Sequence, residues 1–146
     1  MSIDRSFIER NRTGTARLRT LAATLSDAQL QRPVGEHWTV AIALAHLAFW
    51  DRRVLALVDA ADTAGEVVDI PIDLAVNDIS LPLWAAIPPR TAAELAVASA
   101  EALDRRLAEL PAAQVAAIRA RSERWVDRSL HRNVHLDEIE AALNTL

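Results

Sequence analysis

Cysteine, lysine and tyrosine are absent from the 146-residue sequence, and only three glycines and two phenylalanines occur. Without cysteine, the protein can form no disulfide bond, bind no metal through a thiolate and use no thiol nucleophile of its own. Histidine and carboxylate side chains therefore remain as candidate metal ligands. Because residues that favour strands are scarce while alanine and leucine are abundant, the composition predicts an all-α fold.

The sequence also has no uninterrupted apolar run near the length of about 18 residues that suggests a membrane span. Its N-terminal residues show no apolar stretch behind a basic one, so we expect no signal peptide and a cytoplasmic location. The formal net charge of −4 gives no overall attraction for nucleic acid. With 51% hydrophobic and 25% charged residues, the chain is predicted to form a single domain over residues 1–146.

Apolar periodicity and capping residues predict two main helices in the first half of the chain. The first runs from near Asp4 to near Thr24, and a short helical turn capped by Ser26 follows it. The second starts after an N-cap at Thr39 and ends at a C-cap at Gly65. This second helix is apolar around much of its circumference, so we expect it to be central in the fold.

Residues 66–90 contain four prolines and no sustained period, which predicts a long crossover with a short helical stretch within residues 77–90. The third main helix is predicted over residues 91–110, where Thr91 and Glu94 have the spacing of a capping box. A short helix follows it. The last main helix lies within residues 125–146, and its apolar side chains recur at helical spacing at Leu130, Val134, Ile139 and Leu143. The sequence therefore predicts a four-helix bundle with a long crossover between helices two and three.

Three of the four histidines occupy positions that favour a metal site. His131 and His135 are four residues apart, so both side chains lie on one helical face, one turn apart. His46 lies in the most apolar helix, where we expect it to be buried. Three imidazoles that converge from two helices can bind zinc, nickel or iron and leave positions for water and substrate. The alternative is that these histidines are ordinary core residues, each bonded to a carbonyl or carboxylate group.

Charged residues near these histidines have two possible roles. Glu138 and Asp51 can each orient an imidazole through its second nitrogen, although both are more simply explained as surface acids. Arg128 and Arg132 flank the histidine pair and can bind a substrate carboxylate, but we expect both to face solvent.

Four tryptophans hold most of the aromatic mass: Trp38, Trp50, Trp84 and Trp125. All four are candidates for the wall of a substrate cavity, particularly Trp38, at the start of helix two, and Trp84, in the crossover, although tryptophans more often pack in a core. We also expect Trp50 and Asn77 to lie in the pocket or next to the metal ligands. His37 precedes Trp38 in a loop and is expected to be exposed.

The segments WTVAIALAHLAFWD around His46 and SLHRNVHLDEIEAAL around His131 and His135 resemble the DinB-like, or YfiT-like, superfamily of four-helix metalloproteins. The resemblance covers essentially the whole chain in helix order and includes the AVND stretch with Asn77 in the crossover. It implies that His46, His131 and His135 are metal ligands. It also implies chemistry with a low-molecular-weight thiol such as mycothiol or bacillithiol, as in mycothiol-dependent maleylpyruvate isomerase and the bacillithiol transferases.

Residues and resemblance together predict an enzyme that depends on a divalent metal, with zinc and nickel the expected ions. It would act on a small molecule as a thiol-dependent transferase or isomerase, or as a hydrolase. Two alternatives stay open at this point: a non-catalytic bundle that binds or sequesters a small molecule, and an interaction module. We expect a homodimer, because bundles of this size often form two-fold dimers, and we expect neither nucleic acid nor membrane as a partner.

Overall fold

The computed structural model describes residues 3–68 and 71–144, of which 76% are helical and almost none are in strands, which confirms the all-α prediction. None of the helices in the described ranges combines the length and apolarity of a membrane span. The elements in chain order are α1 (Phe7–Thr24), α2 (Asp27–Leu30), β1 (Pro33–Val34), β2 (Trp38–Thr39), α3 (Val40–Ala64), α4 (Ala75–Ala85), α5 (Pro89–Glu109), α6 (Ala112–Arg121), a 3-10 turn (Glu123–Trp125) and α7 (Ser129–Leu143).

The predicted caps in the first half of the chain are present. The Ser26 side chain accepts a hydrogen bond from the Gln29 backbone N–H, and the Gln29 side chain accepts one from the Ser26 N–H. β1 and β2 then form a short antiparallel pair that leads into α3. The Thr39 hydroxyl accepts the N–H of Ile42 at the start of α3, and Gly65 ends the helix with a positive φ of 76°. Local sequence signals therefore define both ends of α3.

The predicted capping box at Thr91 and Glu94 is wrong. Helix α5 begins two residues earlier, at Pro89, with Pro88 in the N-cap position. Proline suits the first turn of a helix because its φ is already helical and its missing N–H would have had no partner there. The Pro88-Pro89 pair therefore starts the helix before the threonine is reached.

Helix α7 begins at Ser129, four residues after the start of the predicted segment, and residues 145–146 of that segment lie outside the described residues. The first N–H groups of the helix are bonded by Asn11 of α1, whose Oδ1 accepts from the backbone of Arg128 and Ser129. The predicted apolar face is wrong in part, because Leu130 and Val134 are about half exposed while Ile139 is fully buried. The Ser129 N–H also donates to the local Asp127 carboxylate, so the start of α7 is set by a distant contact and a local one together.

The core consists of two apolar clusters with a polar layer between them. In α3, residues 40–45 and Leu47 belong to one cluster, Val54 and Val58 belong to the other, and buried Asp51 lies between them. Helix α1 has the same order, because Leu18 belongs to the first cluster, Phe7 to the second, and buried Asn11 and Thr15 lie between them. The buried or largely buried polar residues of this layer are Asn11, Thr15, Asp51, Asp104, Arg128 and Arg132.

Two glycines give substitution predictions of opposite sign. Gly14 lies inside α1, and a Cβ added there would meet its nearest atoms, on Ser129, at 3.9 Å, an ordinary van der Waals contact. We expect Gly14→Ala to raise the free energy of unfolding by about 0.5–1 kcal/mol, because alanine loses less backbone entropy on folding. Gly65→Ala is expected to lower it by about 1 kcal/mol, because a Cβ is strained at positive φ. Urea denaturation measures both, and a destabilising Gly14→Ala would contradict the packing of α1 on α7.

Candidate metal centre

The three predicted histidines lie together. His46 projects from α3, and His131 and His135 project from successive turns of α7. The Nε2 atom of His46 lies 3.2 Å from that of His131 and 3.1 Å from that of His135. His46 is buried, with 4% of its surface exposed, and the other two are half-buried. The structure thus forms a cluster of imidazole nitrogens that could hold a metal ion.

The separations within this cluster fit a single ion. Imidazole nitrogens bind zinc at about 2.0–2.1 Å, so two nitrogens on one octahedral or tetrahedral ion lie about 2.8–3.4 Å apart. Both Nε2 separations at His46 fall in that interval. The ligand atoms of all three side chains lie within 4.8 Å of one another, so the cluster has the dimensions of a site for one ion.

Hydrogen bonding among the neutral rings is incomplete without a cation. His46 Nε2 faces two other ring nitrogens, and a neutral imidazole nitrogen either donates one proton or accepts. His135 Nδ1 lies 3.2 Å from a Glu138 carboxylate oxygen, which favours a proton on Nδ1 and leaves Nε2 as an acceptor. If His46 Nε2 carries a proton, it can donate that proton well to only one of the two neighbouring nitrogens. If it carries none, its lone pair faces the lone pair on His135 Nε2, and these two atoms cannot form a hydrogen bond. A cation among these nitrogens removes the conflict.

The buried histidines are uncharged near neutral pH. Burial lowers the pKa of His46 to about 3, and the neighbouring His135 adds to this decrease. Burial likewise lowers the pKa of His131 to about 2, with a further contribution from the charge of Arg128. Neutral imidazole is the form that binds a metal ion.

These lowered pKa values predict an acid-sensitive metal-free protein. The unfolded chain takes up protons at these two histidines below their ordinary pKa of 6.5, whereas the folded chain does not until far lower pH. The contribution of these two histidines to the free energy of unfolding is therefore fully present above pH 6.5 and is lost as the pH falls below that value. We expect about 2 kcal/mol of loss per histidine between pH 6.5 and pH 5. Urea denaturation of chelator-treated protein at both pH values measures the loss, and His131→Asn should remove about half of it. An undiminished loss in that variant would contradict the assignment to His131.

A cavity of about 400 Å³ adjoins the three histidines. Trp38, Trp50 and Asn77 line it, as expected of pocket residues, and Trp50 Nε1 donates to Asn77 Oδ1 at 3.0 Å. Trp84 is buried and does not line this cavity, but its ring packs edge-on against His46 at 5.5 Å between centroids. Three tryptophans and three arginines, Arg53, Arg124 and Arg128, line the cavity together with the histidine cluster.

Three charged residues predicted to face solvent are buried instead. Asp51, Arg128 and Arg132 are 1%, 4% and 0% exposed. The Asp51 carboxylate accepts from Arg128 Nε at 3.0 Å and from Arg132 Nε at 3.1 Å. Arg132 also donates to Asp104 at 2.8 Å. The prediction failed because these charges are paired with one another in the polar layer, and the sequence alone does not show that pairing.

The second nitrogens of the α7 histidines also have partners. Arg128 Nη2 donates to His131 Nδ1 at 3.3 Å, a contact that the sequence analysis missed although the i, i+3 spacing could have suggested it. Glu138 is both a half-exposed acid and the partner of His135 Nδ1. The Asp51 carboxylate is linked to His131 through Arg128, which donates hydrogen bonds to both. His37 is exposed, as predicted.

Comparison with known proteins agrees with this geometry. A sequence model described as mycothiol maleylpyruvate isomerase N-terminal domain matches residues 12–138, which include all three clustered histidines. Comparison with curated proteins and with solved structures gives no match. The chain therefore belongs to the mycothiol maleylpyruvate isomerase N-terminal domain family, within the DinB/YfiT-like superfamily.

Proposed function

We propose that the protein is an enzyme that depends on a divalent metal ion, bound by His46, His131 and His135, and acts on a small molecule in the adjoining cavity. The close approach of three imidazole nitrogens beside that cavity is the observation that carries the proposal. An ion held by three imidazoles lowers the pKa of a bound thiol or water and supplies a nucleophile at neutral pH. Zinc and nickel both suit these ligands.

We further propose that the nucleophile is an external low-molecular-weight thiol, so that the reaction is a transfer or an isomerisation; with water instead, it would be a hydrolysis. The absence of cysteine supports an external thiol. The description of the family favours mycothiol over bacillithiol. Trp38 packs against His46 and His135, at 4.7 and 5.9 Å between ring centroids, where it limits ring rotation and excludes water.

Cobalt-loaded protein provides the test, because Co²⁺ suits the same ligands and its visible spectrum reports its donor atoms. We expect one equivalent of Co²⁺ to bind and its spectrum to change when mycothiol is added, but not when S-methylated mycothiol is added. His37→Ala, which alters an exposed histidine, should behave as wild type. Failure of the folded protein to bind Co²⁺, Zn²⁺ or Ni²⁺ would overturn the metal site. Binding without a response to mycothiol, bacillithiol or cysteine would overturn the thiol chemistry and leave hydrolysis or a non-catalytic binding bundle as the alternatives.

The other expectations about partners and location stay predictions. The homodimer is supported by an exposed apolar pair one turn apart on α4, where Ile79 and Leu83 are 72% and 69% exposed. Sedimentation analysis measures the oligomeric state directly.

A further inference from the structure

The two histidines on α7 have chemically opposite partners at their Nδ1 atoms. Arg128 Nη2 lies 3.3 Å from His131 Nδ1, and Glu138 Oε2 lies 3.2 Å from His135 Nδ1. A guanidinium group can only donate a hydrogen bond, and an ionised carboxylate can only accept one. In the ion-free protein, His131 therefore carries its proton on Nε2, whereas His135 carries its proton on Nδ1.

Arg128 is held firmly in this position. Its Nε donates to Asp51 at 3.0 Å, its Nη1 donates to the backbone carbonyl of Arg124 at 2.9 Å, and its side chain is 5% exposed. Asp51 is itself held by Arg132. Because the guanidinium is fixed on two sides, it cannot turn away from His131 without breaking buried hydrogen bonds. The proton position on His131 is thus imposed by the surrounding polar layer.

We propose that His135 is the strong ligand of the three-histidine site and His131 the weak, exchangeable one, with Arg128 as the positioning residue that weakens it. This inference rests on the proposed function, since it assumes that an ion binds the Nε2 atoms. A carboxylate that accepts a hydrogen bond from Nδ1 of an imidazole raises the basicity of its Nε2 as a metal ligand. A cation that donates to Nδ1 lowers the basicity of Nε2 and also repels a metal ion.

The asymmetry gives His131 a distinct role. To bind an ion through Nε2 as a neutral imidazole, the His131 ring must move the proton on that atom to Nδ1 and lose the contact with Arg128. His135 faces no such cost, because its Nε2 already presents a lone pair to the cluster. A ligand that is easily released leaves room for a thiol or substrate group, so His131 is the side of the site from which we expect the co-substrate to approach.

The first test needs no variant. Long-range ¹H–¹⁵N spectra of histidine-labelled, metal-free wild type at neutral pH distinguish the two neutral forms of an imidazole. We expect a proton on Nε2 of His131 and on Nδ1 of His135. Two rings protonated on the same atom would overturn the inference, whatever the variants below do.

The second test compares zinc affinity, by competition with a chelator, in Glu138→Gln and Arg128→Gln. We expect Glu138→Gln to weaken zinc binding roughly 10–100-fold. Arg128→Gln is expected to tighten it roughly tenfold, because a buried cation near the ion is removed. Glu140→Gln and Arg106→Gln change a matched acid and arginine that contact no clustered histidine, and both should leave zinc affinity unchanged.

Opposite signs for the two variants support the inference, and the same sign for both overturns it. A wild type that binds no zinc would instead overturn the proposed function. If Arg128→Gln does not fold, the proton positions in wild type decide the question alone.

Discussion

Replacing His46 or His135 singly with alanine is expected to lower the affinity for zinc or nickel about a hundredfold or more, and replacing the weaker ligand His131 is expected to lower it by a smaller factor. Structural zinc sites with four ligands bind with about 10–16 kcal/mol, or about 3 kcal/mol for each ligand, and 1.4 kcal/mol corresponds to a factor of ten. The effect should appear in all three variants, because each removes one nitrogen from the same cluster. Chelator competition measures the affinity, and elemental analysis of untagged protein measures the metal content.

His37→Ala is the matched control. Its side chain is 77% exposed and its nearest charged partner is Glu36, so its loss should change neither metal content nor affinity. Circular dichroism of each variant separates loss of metal from loss of fold. If the folded His135→Ala protein binds zinc as tightly as wild type does, the three histidines are core residues and not ligands.

Asp51→Ala is expected to have the largest effect on stability, lowering the free energy of unfolding by about 3–5 kcal/mol. The substitution removes the shared carboxylate of two arginines whose side chains are 5% and 0% exposed. Both cations would then remain buried without that partner. Since a domain is stable by only about 5–15 kcal/mol, this loss is a large fraction of the total. Urea denaturation in the presence of a chelator measures it without a contribution from bound metal.

Asp137→Ala provides the comparison for Asp51→Ala. Asp137 also pairs with an arginine, Arg17, at 2.7 Å, but its side chain is 71% exposed. Exposed ion pairs contribute about 0–1 kcal/mol, so this variant should unfold close to wild type. Equal effects of the two substitutions would contradict the burial of the Asp51 network.

The helices were predictable where their signals are local. Ser26, Thr39 and Gly65 each act on residues within one turn, so the sequence contains all that the cap needs. The start of α7 depends on Asn11, which is 117 residues from Arg128 in sequence, and no local pattern reports that contact. The start of α5 was missed for another reason. Pro88, Pro89 and Thr91 all lie within four residues and each can mark the start of a helix, and the helix begins at the prolines.

The histidine cluster was predictable from the sequence, but the buried charges next to it were not. Histidine spacing in α7 and the apolar character around His46 indicated a cluster before any coordinates. The burial of Asp51 and Arg132 was not predictable, because a buried charge looks like a surface charge in sequence until its partners from other helices are known. By contrast, Arg128–His131 and His135–Glu138 are both three residues apart on one helix, so these contacts had a local signal.

The tryptophans lie so close to the histidines that their fluorescence should report which ion the histidines bind. Trp38, Trp50 and Trp84 have ring centroids 4.7, 6.2 and 5.5 Å from that of His46. These are three of the four tryptophans in a chain that has no tyrosine, so most of the ultraviolet fluorescence originates next to the cluster. An open-shell ion such as Ni²⁺ or Co²⁺ at the histidines would quench this emission, whereas closed-shell Zn²⁺ would not. Intrinsic fluorescence therefore distinguishes the two kinds of occupant in unlabelled protein.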